Sequence, residues 1–102
     1  MKIAVIGGGN GAYAAAADLT QQGHQVRLWR RNAEALAASR TLVLKDAEGE
    51  SKVTLASVSP DIADAVRGAA LIFLPDPAFT QVENAKRLAP HLSDGQVVFL
   101  AP

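Results

Sequence analysis

The feature that most constrains this chain is the apolar run Ile3-Ala4-Val5-Ile6, which breaks at once into Gly7-Gly8-Gly9-Asn10-Gly11-Ala12. A continuous apolar run with β-branched residues, bounded by glycine, suits a strand buried on both faces. From Asn10 to Gln22, the alanines at 12, 15 and 16 and Leu19 recur at i, i+3, i+4 and i+7, which predicts a helix that Gly23 stops. Gln25 to Arg30 then alternates polar and apolar residues, as a second strand does. Strand, glycine turn, helix and strand are complete by residue 30. That is a βαβ unit, whose parallel strands need helices packed on their faces.

The rest of the chain continues this alternation after one irregular stretch. Asn32 caps a short alanine-rich helix through about Ala38. Thr41 to Leu44 and Lys52 to Leu55 read as strands on either side of the turn-forming Asp46-Ala47-Glu48-Gly49-Glu50, which predicts a hairpin. Ser59-Pro60 supplies a cap and a first-turn proline for a helix over Asp61 to Arg67, ended by Gly68. Leu71 to Leu74 is a further buried strand stopped by Pro75. A helix follows from Pro77 to about Leu88 with Pro90 close behind, and Gln96 to Leu100 forms a last strand. The fold class expected is α/β, a doubly wound, mostly parallel sheet with helices on both faces, of Rossmann type.

Composition narrows the function classes. The chain has 102 residues, enough for one domain with a modest core but short for a complete oxidoreductase. Because the last strand runs straight into Ala101-Pro102, residues 1–102 are expected to be an N-terminal piece of a longer protein whose substrate domain lies beyond. Ten basic residues offset ten acidic ones, so no overall field recruits nucleic acid or an anionic membrane, and any anion binding must be local. There is no cysteine, hence no disulfide framework or thiolate metal site. The apolar start is interrupted too early by glycine to read as a secretory leader, and the expected location is the cytoplasm.

The glycine turn carries the chemistry. Gly7, Gly9 and Ala12 fit the three key places of G-x-G-x-x-G/A. Gly7 lets the chain turn sharply out of the strand, Gly9 has no side chain to block a pyrophosphate, and Ala12 is small enough for the helix to pack on the sheet. The helix start adds unpaired N–H groups and a positive dipole end, with Gly8, Asn10 and Gly11 completing the cradle. By itself such a pattern also fits a plain structural turn. Its place between a buried strand and an amphipathic helix makes it a dinucleotide site.

At the end of the second strand, where nicotinamide- and flavin-dinucleotide domains carry an acidic residue on the adenosine ribose, this chain has Trp29-Arg30-Arg31-Asn32. Two guanidiniums there can clamp a 2′-phosphate through charge-assisted hydrogen bonds, which predicts NADP(H), with NAD(H) as the alternative. Solvated surface arginines are the competing interpretation. Trp29 reads as a packing residue that could also lie under the adenine. Pro75 and Pro77 fall at the carboxyl edge of the sheet, where their backbone can line the nicotinamide-ribose side, and Asp76 between them reads first as a helix cap. His24 and His91 are expected at the surface, away from that edge, and Tyr13 as a helix residue beside the glycine loop. No catalytic constellation and no metal-ligand spacing converges.

The segments Ile-Gly-Gly-Gly-Asn-Gly-Ala-Tyr-Ala-Ala-Ala at 6–16, Gly-His-Gln-Val-Arg-Leu-Trp at 23–29 and Asp-Pro-Ala-Phe at 76–79 resemble the octopine/nopaline (opine) dehydrogenase family. Ala89-Pro90-His91-Leu92 and Asp94-Gly95-Gln96-Val97-Val98 extend the likeness over most of the chain. The resemblance implies an enzyme that transfers a hydride to the imine formed from an amino acid and a 2-keto acid, or runs that reaction backwards; a homodimer of the full-length protein is a further expectation. The resemblance also implies that the catalytic histidine and its carboxylate partner lie in a helical C-terminal domain, so no catalytic residue is carried over to this chain. The glycine segment is equally similar to glycerol-3-phosphate dehydrogenase and ketopantoate reductase. Arg30 departs from family members that are acidic at this place, and the paired arginines look more like the NADPH-selecting arrangement of ketopantoate reductase. A non-catalytic nucleotide sensor is a separate possibility, and a flavin enzyme is disfavoured because the second strand lacks a terminal Glu.

Overall fold

The computed structural model describes residues 1–7, 10–30, 40–46, 49–75 and 78–100. Among these residues, seven strands and three α-helices follow in the order β1 (Lys2–Ile6), α1 (Asn10–Gln21), β2 (Gln25–Trp29), β3 (Thr41–Asp46), β4 (Gly49–Thr54), β5 (Ser57–Ser59), α2 (Ile62–Val66), β6 (Leu71–Leu74), α3 (Ala78–Leu88) and β7 (Val97–Leu100). A single 3-10 turn at Ala89–His91 extends α3, with Pro90 in its first turn.

The main sheet has the strand order β5-β2-β1-β6-β7, and every pair in it is parallel. Strand β1 is central, with Ile3 opposite Val26 on one side and Leu71 on the other. The chain first winds outward through β2 and β5, then returns across β1 to β6 and β7. The reversal between β1 and β6 is the topological switch point of a doubly wound sheet, the crevice where such sheets bind ligands. The fold class read from the sequence is the one observed.

Period-two alternation divides the core between the two faces of the sheet. Ile3, Val5, Val26, Leu28 and Val58 face α1, meeting Ala12 and Ala16. Ala4, Ile6, Trp29, Ile72 and Leu74 face α2 and α3, meeting Ile62, Ala65, Val66 and Leu88. The alanines of α1 let that helix approach β1 closely. Leu28 and Ile72 are wholly buried, each stabilising the fold by roughly 1.5–3 kcal/mol. Strand β7, at the sheet edge, is exposed throughout, although the Phe99 ring stacks on Phe73 with centroids 5.4 Å apart.

The caps follow from local chemistry. Gly23 at φ +96 ends α1, its N–H donating to the Thr20 carbonyl while that of His24 reaches back to Leu19, the paired bonds of a Schellman motif. The hairpin expected in the middle of the chain is present as β3 and β4, antiparallel, with Leu42 opposite Val53. The helix assigned to Asn32–Ala38 falls outside the described residues.

The reading of Ser59 as a helix cap is corrected. Ser57–Ser59 is strand β5, parallel to β2, with Val58 buried against the α1 side. Pairing with β2 holds Ser59 extended, so α2 starts two residues later. Asp61 is its cap, accepting the Ala63 N–H at 3.0 Å, and the Ser59 hydroxyl oxygen in turn accepts the Asp61 N–H.

Candidate dinucleotide site

The carboxyl ends of β1 and β6 lie side by side, with the Val5–Phe73 pair close to the edge. Gly7 leaves β1 at φ +155, and its N–H donates to the Trp29 carbonyl at 3.0 Å. This bond carries the β1–β2 ladder one residue past the strand, and the backbone angle is one that side chains other than hydrogen rarely allow. The chain then enters α1 at Asn10. The first turn of α1 contains no acidic residue, so no carboxylate of that turn competes with an anion at its positive end. Gly8 and Gly9 lie outside the described residues.

The first turn of α1 also meets the end of β6. A Cβ built on Gly11 would stand 3.7 Å from the Pro75 carbonyl oxygen, an ordinary contact distance. Gly11 and Pro75 therefore face each other across the switch point. Ala12 is fully buried against the sheet, where a larger side chain would lever the helix away. Pro77 and Asp76 lie outside the described residues.

Arg30 follows β2 on the same edge. Its backbone N–H donates to the Ser59 carbonyl at 3.2 Å, extending the β2–β5 ladder and fixing where the side chain begins. The guanidinium carbon lies 5.2 Å from the centroid of the Tyr13 ring, in the first turn of α1. Its Nε is buried and has no acceptor among the described residues. A buried, charged donor without a partner is costly, and an anion is the natural acceptor to relieve it. Arg31 lies outside the described residues. Trp29 points to the opposite face, 6% exposed, with its Nε1–H donating to the Pro60 carbonyl at 2.7 Å. Its role is packing, and it does not lie on the α1 side with Arg30.

Two residues of this neighbourhood carried no assigned part in the sequence reading. Tyr13 is expected only as a helix residue beside the loop, yet the Arg30 guanidinium carbon lies over its ring; its one sequence signal is a bulky ring directly after the small Ala12. Ser59 anchors the Arg30 backbone from a strand too short to show periodicity. His24 sits half-buried in the turn before β2, at the amino end of the sheet, and His91 is exposed in the 3-10 turn. Among the described residues no group of three or more His, Asp or Glu side chains is placed to hold a metal ion. No described helix is long and apolar enough to cross a membrane.

The arrangement can therefore hold an anion at the helix start and a second one beside Arg30. Comparison with known proteins gives the family. The family model for the NAD-dependent glycerol-3-phosphate dehydrogenase N-terminus matches residues 2–101. A glycerol-3-phosphate dehydrogenase [NAD(P)+] of Thioalkalivibrio sulfidiphilus is 35% identical over 97% of this chain and 30% of its own length. An opine dehydrogenase of Arthrobacter sp. is 32% identical over 97% of this chain and 28% of its own. The solved structure of an octopine dehydrogenase in complex with NADH and agmatine superposes on all of this chain and 28% of its own, with a TM-score of 0.81 and 27% identity. The chain thus spans under a third of the length of these relatives. The match over nearly every residue, on a sheet wound in this order around a glycine turn, means that the chain belongs to the NAD-dependent glycerol-3-phosphate dehydrogenase N-terminus family, the dinucleotide-binding domain of NAD(P)-dependent dehydrogenases.

Proposed function

We propose that this domain binds NADP(H) in preference to NAD(H), for hydride transfer to an imine or carbonyl carbon of a small substrate held by the rest of a longer protein. The observation that carries this reading is the buried Arg30 Nε without an acceptor, at the strand end where the adenosine ribose of such cofactors lies. In this reading the backbone from Gly7 through Gly8, Gly9, Asn10 and Gly11 to Ala12 takes the pyrophosphate. Arg30 and Arg31 take the 2′-phosphate. Pro75 and Pro77 line the nicotinamide-ribose side. Bound NADPH supplies the hydride, and the chain's own residues bind and orient it.

For the substrate, an opine-type reaction is the first reading, supported by the 32% identical Arthrobacter relative and by the segments that resemble that family. A glycerol-phosphate-type reaction is the second, favoured by the family model and the 35% identical relative. NADP+ reduction by the full-length protein with glycerol 3-phosphate, set against NADPH oxidation with amino acid plus 2-keto acid, separates them. In either case the proton-transferring residues belong to a second domain. A cytoplasmic, homodimeric enzyme is the form we infer.

Calorimetric titration with NADPH and NADH tests the cofactor assignment. NADPH is expected to bind at least about tenfold more tightly, the effect of one or two charge-assisted hydrogen bonds to phosphate. Equal affinity, or a preference for NADH, overturns it. Replacing Arg30 and Arg31 together with alanine should abolish the difference and leave NADH binding nearly intact, because NADH has no 2′-phosphate to lose.

A further inference from the structure

We propose that Tyr13 is a specificity-determining positioning residue, whose ring holds the Arg30 guanidinium face-on and so leaves its N–H edge free for a 2′-phosphate. The inference rests on the reading of Arg30 given above. An arginine at a strand end has several rotatable bonds, and fixing it for a bidentate contact costs side-chain entropy unless the protein has already fixed it. The usual means of fixing an arginine is a carboxylate, but a carboxylate occupies the same in-plane N–H groups that a phosphate needs.

An aromatic ring avoids that conflict. The guanidinium carbon lies 5.2 Å from the Tyr13 ring centroid, within cation–π range. Contact through the flat face leaves the donors around the rim unspent. Nε, one of those donors, has no hydrogen-bond partner among the described residues, although it is itself covered from solvent. Tyr13 is itself held, partly buried and packed against the cluster that contains Ile3, Val5, Ala16 and Leu28. Being in the first turn of α1, the ring ties Arg30 to the helix start where the glycine turn delivers the chain. A phosphate held by the helix start and one held by Arg30 would then share a single rigid frame.

The test is a binding cycle on the full chain, read as separate dissociation constants for NADPH and NADH, with thermal unfolding as a check on folding. Tyr13→Leu keeps apolar volume and removes the ring face; it should weaken NADPH about three- to fivefold and leave NADH within about twofold. Tyr13→Phe should retain the parent preference, since the ring and not the hydroxyl carries the contact. In an Arg30→Ala background, Tyr13→Leu should have no further effect on the NADPH-to-NADH ratio.

Should Tyr13→Leu prove unfolded, Tyr13→Met takes its place. Equal weakening of both cofactors overturns the inference, since a merely structural ring would give that result. So does a Phe variant that behaves like Leu, or a Leu variant with an unchanged ratio. If Arg30→Ala itself leaves the ratio unchanged, the phosphate role of Arg30 fails and takes this inference with it. A ratio altered by Arg30→Ala but not by Tyr13→Leu overturns the positioning role alone.

Discussion

Arg27, in the middle of β2, and Arg30, just past its carboxyl end, send their side chains to opposite faces of the sheet, and their surroundings differ in kind. The Arg27 guanidinium donates to the backbone carbonyls of Asp64 and Arg67, so it is used in closing the carboxyl end of α2. Arg30 faces the other side of the sheet, lies over an aromatic ring, and keeps a buried donor without an acceptor among the described residues. The amino edge of the sheet thus satisfies its cation internally, while at the carboxyl edge, in the function proposed above, the partner is a bound phosphate. Residue type does not separate a structural arginine from a binding one. The fate of its N–H groups does.

The contrast can be broken by experiment, and the largest effect expected is on ligand discrimination. Arg30→Ala should remove most of the NADPH preference, tenfold or more, with the denaturant midpoint unchanged or slightly raised, because a costly buried donor disappears. A variant that loses stability without losing discrimination would place Arg30 in the same class as Arg27. Trp29→Phe, between the two arginines, should cost about 1–2 kcal/mol in chemical denaturation through the lost bond to the Pro60 carbonyl and the smaller ring. The cofactor ratio should not move, since Trp29 lies on the opposite face. Arg27→Ala should cost about 1 kcal/mol, discounted for its partial exposure, again with the ratio unchanged. A shift in the ratio here would mean that the two ends of β2 are coupled. The smallest effect is expected at Arg67, whose ion pair with Asp64 is largely exposed; Arg67→Ala should stay within about 0.5 kcal/mol.

Much of the fold could be read from the sequence because its signals are local. The buried run at Ile3–Ile6, the alanine spacing of α1 and the stop at Gly23 each depend on neighbours within one or two turns of chain. Strand β5 could not be read that way. Ser57-Val58-Ser59 is too short to show a period, and its strand character comes from pairing with β2, as of Arg27 with Ser57, far off in the sequence. The same pairing explains the misplaced cap: Ser59 and Asp61 are both good capping residues, and only the ladder that keeps Ser59 extended decides between them. At the site, Arg30 stood out because its position normally carries the opposite charge. Tyr13 did not, because a ring in a helix gives no local hint of which distant cation it covers.

The side-by-side ends of β1 and β6 have a dynamic consequence. Gly11 and Pro75 meet across the switch point although they are far apart in sequence, so a ligand seated there bridges the two halves of the winding. Its binding energy is then available only while β6 stays paired with β1. Amide hydrogen exchange in β6 should slow when NADPH is added, by a factor that follows the cofactor's saturation. The hairpin of β3 and β4, a separate two-stranded sheet that shares no ladder with β1 or β6, should exchange at the same rate with and without it. The cofactor would then act as a clasp on the sheet that carries it.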